Sequence, residues 1–184
     1  MNTLTVIYVV LAVVALWAVF AYNGLVRLRN RVHESLSDID VQLKRRFDLI
    51  PNLMESVKGY MAHEKGVLES VTEARAKVGQ GGTPIERAGA EMALSGAMTK
   101  LFAVAENYPD LKANANFLSL QGDLTDTENK IQAARRFYNS MVMGMNAAVQ
   151  SFPGNLIAGA FGFGSEKFFE IGDAAERNPV KVSF

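Results

Sequence analysis

The chain has 184 residues, 49% of them hydrophobic, with 19 basic side chains balancing 19 acidic ones. Such a balance gives no global field to select nucleic acid or an acidic substrate. The absence of cysteine excludes disulfide frameworks, thiolate metal ligands and cysteine nucleophiles.

Residues 4–22 read LTVIYVVLAVVALWAVFAY without a charge, and about 20 apolar residues in a helix suffice to cross a bilayer. A transmembrane anchor over 1–23 is expected, with Trp17 and Tyr22 at the headgroup level. Arg27, Arg29 and Arg31 follow at once, where they can meet anionic headgroups. Basic residues beside a span stay in the cytoplasm, so the expected topology is single-pass, N-terminus outside and the remainder in the cytoplasm. A cleaved signal peptide ending near Ala21 is the competing reading. A missing basic segment before the apolar run, and a basic cluster after it, oppose export.

Beyond the anchor the remainder is the size of one ordinary domain, enough to bury a core. A seam of alternating three- and four-residue steps runs through Val32, Leu36, Ile39, Leu43, Arg46, Ile50, Leu53, Val57, Tyr60, Glu64, Val67, Val71, Ala74 and Val78. This is the spacing of helices that pack on one another in a bundle or coiled coil. Pro51 interrupts it, since an interior proline removes a helical hydrogen bond, so two consecutive helices or one sharply kinked helix are expected. Lys44, Arg45 and Arg46 form a second basic group, expected to make ion pairs within the chain with Asp48 or Glu64.

The GQGGTP stretch ends this arm, and Thr83 with Glu86 has the spacing of a capping box opening a helix to about Asn107. Leu94, Met98, Leu101, Ala105 and Tyr108 should face inward, and Pro109 stops the helix. A helical stretch from Leu111 to Gln121 follows, with Thr125 and Glu128 marking a break near Gly122. In the last arm Leu124, Ile131, Tyr138, Met145 and Phe152 recur every seven residues, with Thr127, Ala134, Met141 and Ala148 between them. Short turns between long arms make neighbours antiparallel, so the fold class is all-α: a transmembrane helix (1–23), then an up-and-down antiparallel helix bundle (24–152).

Residues 153–184 form a Gly/Phe-rich tail with Phe161, Phe163, Phe168 and Phe169, a candidate interaction segment. Its apolar side chains need a surface, which the bundle, the bilayer or another subunit would supply. His33 and His63 each precede a glutamate, but neither has metal-ligand spacing, and no nucleophile elbow, phosphate loop or dinucleotide fingerprint appears. No catalytic, cofactor-binding or metal residue is expected.

The stretch YNGLVRLRNRVHESLSDIDVQLKRRFDLIPNLMESVKGYMAHEKGVLESVTEARA, and later LQGDLTDTENKIQAARRFYNSMVMGMNAAVQSFPGNLIAG, strongly resemble the LemA family of bacterial membrane proteins. Phe47 and Leu36 are small departures. The resemblance covers nearly the whole chain and implies an N-terminal membrane helix and a soluble antiparallel bundle; with the topology above, the expected place is the bacterial inner membrane. It implies no reaction and no catalytic residues. The expected function is therefore a non-enzymatic, membrane-anchored scaffold that self-associates and organises the membrane or membrane proteins, with the lipid bilayer as partner, a homo-oligomer or higher-order assembly as its state, and no nucleic acid. The alternative is a regulatory adaptor that binds a membrane protease or signalling protein.

Overall fold

A computed structural model describes residues 2–169, and among these it contains helices and turns but no strand. The helices are α1 (Thr3–Lys58), α2 (Lys65–Val78), α3 (Ala88–Ala105), α4 (Pro109–Lys112), α5 (Ala115–Gln150) and α6 (Gly154–Phe161). The described chain divides into two compact units, one of residues 2–38 and 134–168, the other of 39–133 with 169. Residues 170–184, the remainder of the expected tail, lie outside the described residues.

In the second unit the seam becomes a core of Ile50, Leu53, Val57 and Met61, Val67, Val71 and Val78 of α2, Leu94, Met98 and Leu101 of α3, and Leu111, Phe117 and Leu124. Each such side chain contributes on the order of 2 kcal/mol by leaving water. Contacts between helices fix their directions. Phe47 of α1 meets Arg75 near the end of α2, Asp40 and Arg46 meet Arg87 and Glu91 at the start of α3, and Glu64 meets Tyr108 just beyond α3. Tyr60 meets Asn114, while Arg46 meets Glu128 further along α5. Thus α2 and α5 run against α1 and α3 runs with it, an up-and-down arrangement.

Pro51 lies inside α1, which neither ends nor restarts there. The carbonyl that proline cannot serve is that of Phe47, four residues earlier. It accepts a hydrogen bond from Nε of Arg75 at 3.3 Å, whose guanidinium also lies 3.9 Å from the Phe47 ring centre. The freed acceptor is satisfied from α2, so the helix continues.

Asp48 pairs with Lys44 one turn back. Thr83 and Glu86 do exchange hydrogen bonds, Thr83 N–H to the carboxylate at 2.7 Å and Glu86 N–H to the hydroxyl at 3.3 Å, although regular helix starts only at Ala88. The Glu86 carboxyl is held below its usual range, first by the Thr83 backbone N–H and then by its hydroxyl. No break occurs at Gly122. The α5 start is capped by Asn114, whose Oδ1 accepts from the N–H groups of Asn116 and Phe117, while Thr125 donates back to the Gln121 carbonyl inside the helix.

In the first unit Leu25, Val32 and Ser35 of α1 are buried, as are Tyr138, Val142 and Met145 of α5, Ala158 of α6 and Phe163. The seam therefore departs from its expected course at four places. Ser35, Met61 and Val142 are buried in place of Leu36, Tyr60 and Met141. Phe152, the last position of the expected α5 seam, is exposed. Within α1 and α5 a true helical period of 3.6 drifts from a strict seven-residue repeat and moves the buried position to the adjoining Ser35 and Val142, while Tyr60 and Met61 lie beyond the end of α1 and Phe152 beyond that of α5.

Candidate functional site

Two constellations stand out, one in each unit. In the second unit Arg46 is wholly buried at 0% exposure, and Glu91 at 1% is its partner through Nη2. Arg46 Nη2 also donates to the Glu91 carbonyl at 3.3 Å, while Nη1 donates to Glu128 Oε2 at 2.6 Å and to Ser95 Oγ at 2.6 Å. Beside it Arg87 pairs with Asp40, and its Nε lies 3.4 Å from the second Glu91 oxygen, an ionic contact without hydrogen-bond geometry. On the outside Arg45 bridges Asp123 and Asp126 of α5 at 3.4 and 3.5 Å. The Asp126 carboxyl is lowered, first by its hydrogen bond with Lys130 and then by the nearby charges of Lys130 and Arg45.

The Arg46 guanidinium offers hydrogen-bond donors only, and the groups it meets serve as acceptors. Its role is geometric: one side chain ties α1 to α3 and α5 and fixes their register. Open clefts flank the network. One of about 250 Å³ is bordered by Asp40, Lys44, Phe47, Arg87 and Glu91, and another of about 330 Å³ by Ser95, Phe102, Glu128 and Gln132. Among the described residues no group of three or more His, Asp or Glu is placed to hold a metal ion.

In the first unit α1 contains a stretch apolar and long enough to cross a membrane, and none of it is buried. At its end the Tyr22 ring lies 4.9 Å from that of Phe161 and 5.7 Å from that of Phe163. Arg29 sits over the Phe163 ring at 5.1 Å, a cation–π distance. Sequence reasoning singles out all four residues, and the fold brings them together. It does not treat the tail phenylalanines alike: Phe161 is 62% exposed and Phe163 only 8%, while Phe168 is exposed and Phe169 buried. Trp17, Arg27 and Arg31 are exposed on α1.

The chain after Phe163 is fastened to α5. Asn146 donates to the Glu166 carbonyl at 3.0 Å and accepts from its N–H at 2.7 Å, and Tyr138 donates its hydroxyl to the Lys167 carbonyl at 2.8 Å. The Tyr138 phenol is pushed up, first by burial and then by the Glu166 carboxylate.

Sequence reasoning misses the Arg46 network as a unit. Arg46 is visible as a charge in an apolar seam, but the partners expected for it are Asp48 and Glu64. Asp48 belongs to Lys44, and Glu64 accepts from the Tyr108 hydroxyl at 2.9 Å. That bond, broken on ionisation, raises the Tyr108 pKa, with burial and the Glu64 charge adding to it. The available signal is Glu91, one step of three before Leu94 on the buried face of an otherwise nearly uncharged α3.

Residues 35–184 match the LemA family model. The chain belongs to the LemA family. It is 29% identical to Protein LemA of Metamycoplasma hominis over 74% of its own length and 63% of that protein. Magnetosome protein MamQ 2 of Paramagnetospirillum magneticum is 25% identical, covering 88% of this chain and 70% of the relative. Magnetosome protein MamQ of Magnetospirillum gryphiswaldense is 21% identical, covering 80% and 64%. The chain thus spans about two thirds of the length of these relatives. The LemA-family match takes in the Arg46 network and the fastened segment after α6, while Tyr22 and Arg29 precede it.

Proposed function

We propose that this LemA-family protein is a non-enzymatic, membrane-anchored helical scaffold that self-associates and organises the membrane or membrane proteins. The observation that carries the reading is an apolar span with no buried residue, borne on a helix whose far end is locked into a bundle by the wholly buried Arg46. A lipid-facing end and a rigid end on one element suit a part that holds a position rather than one that turns over a substrate. Membership of the LemA family, with likeness to relatives named as magnetosome proteins, supports a membrane-associated protein by analogy. Arg27, Arg29 and Arg31 support a topology with the N-terminus outside and the bundle in the cytoplasm, on the inner membrane of a bacterium.

Electron microscopy of the full-length protein in nanodiscs, with its mass measured in parallel, tests the scaffold. Ordered assemblies of several copies are the expected result. A clean monomer that captures a specific membrane protein would replace this reading with that of a regulatory adaptor.

A further inference from the structure

We propose that α6 and its flanks make a second, non-spanning contact with the bilayer, laying Phe152, Leu156 and Phe161 into the interface of the leaflet at which Tyr22 emerges. The proposal rests on the reading of α1 as a membrane anchor and names the surface that accompanies it. From Ser151 to Ser165 the chain carries no charge. Within that stretch Phe152, Leu156 and Phe161 are 79%, 59% and 62% exposed. Three large apolar side chains left in water on so short a segment require a cover.

The cover is identified by continuity. The Phe161 ring meets that of Tyr22 at 4.9 Å in a tilted arrangement, and Tyr22 closes the apolar stretch of residues 4–22 that would cross the hydrocarbon. A residue touching Tyr22 shares its depth, the level at which aromatic rings settle in a bilayer. A basic group stands close by on the headgroup side: Arg29, two turns beyond Tyr22 on α1, lies over Phe163, the second neighbour of Phe161 along the chain. Such residues meet anionic headgroups while apolar neighbours enter the acyl boundary, the pattern of an interfacial helix.

The segment is also held in a fixed attitude. Ala158 is buried beneath it, and Gly162 ends the helix in the left-handed region at φ 71°, a conformation that side chains with a Cβ disfavour. Phe163 then turns inward, its N–H donating to the Ala158 carbonyl at 2.9 Å. With Phe163 packed inside and Asn146 and Tyr138 gripping the backbone beyond, Phe161 is left facing outward. The tail is therefore split between two surfaces, its inward phenylalanine locking the outward one in place.

Trp17 is the only tryptophan, which permits a depth measurement on the full-length chain in phosphatidylcholine/phosphatidylglycerol vesicles containing brominated acyl chains. The unaltered protein reports the anchor through Trp17. Trp17→Phe combined with Phe161→Trp, and separately with Leu156→Trp, reports α6. The expected result is quenching of both new tryptophans by brominated lipid, at least about half the fractional decrease seen for Trp17, together with protection from acrylamide. Quenching of Trp17 with full acrylamide access at 156 and 161 would overturn the α6 contact and leave the anchor standing. Acrylamide protection without lipid quenching, abolished on dilution into excess vesicles, would assign the face to a second copy and also overturn the proposal. Absence of quenching at Trp17 itself would remove the anchor reading and this proposal with it.

Discussion

Arg75 on α2 serves the carbonyl that Pro51 on α1 leaves without a helical donor. Its Nε reaches the Phe47 oxygen at 3.3 Å, and its guanidinium covers the Phe47 ring. A local defect in one helix is thus repaired by a side chain from another, which also ties the two together.

A double-mutant cycle measures that repair. Arg75→Ala is expected to cost about 2 kcal/mol, because it leaves a partly buried carbonyl unpaired and removes the cation–π attraction to Phe47. In a Pro51→Ala background residue 51 supplies its own N–H, so the same change should cost about 1 kcal/mol less. Urea unfolding of the four proteins gives the coupling. Strict additivity would show that Phe47 does not depend on Arg75.

The Arg46 network predicts an asymmetry between single and paired changes. Arg46→Met leaves the buried Glu91 with the longer Arg87 contact in place of its main partner, and Glu91→Leu leaves the buried Arg46 to Glu128 and Ser95, so each alone should destabilise by about 3 kcal/mol. The two together remove both charges, and the double variant should recover most of that stability. Equal damage from the double variant would mean that the helices need the ion pair itself to find their register.

Ile131 is completely buried on α5. Ile131→Asp places an unpaired carboxylate among apolar side chains and should cost at least about 3 kcal/mol or abolish folding. Circular dichroism melting in detergent suffices to decide, and an unchanged midpoint would show that Ile131 does not belong to the core.

Two phenylalanines two residues apart should behave oppositely in detergent-solubilised protein. Phe163→Ala empties a buried site and is expected to cost about 3 kcal/mol, whereas Phe161→Ser on the exposed side should change stability by no more than about 0.5 kcal/mol. Similar destabilisation from both would show that Phe161 is a packing residue after all.

Stability should fall at both ends of the pH range. Tyr138 has its folded pKa raised by burial, so its contribution is fully present below the ordinary tyrosine value near about 10 and is lost as pH rises through the folded pKa. Tyr138→Phe should flatten the alkaline limb of a stability-versus-pH curve. The Asp126 and Glu86 pKa values are lowered on folding, so their contributions are present above the ordinary carboxylate range and vanish as pH drops through the folded values. Asp126→Asn should shallow the acid limb, and an unaltered slope would show the Lys130 and Arg45 contacts to be idle in solution.

The amino-acid sequence by itself determined the apolar span, the buried faces of the long helices to within a residue and the turn at Thr83. Those are readable because hydrophobic spacing and capping are local, set by neighbours within a turn or two. The tertiary structure alone decided that Arg46 belongs with Glu91, 45 positions away, and that Arg75 would carry α1 through Pro51. It also decided that Phe161 faces out while Phe163 faces in. Each of these depends on which faces meet when distant helices pack, and a charge or a freed carbonyl in a seam announces only that it needs a partner, not where along the chain that partner lies.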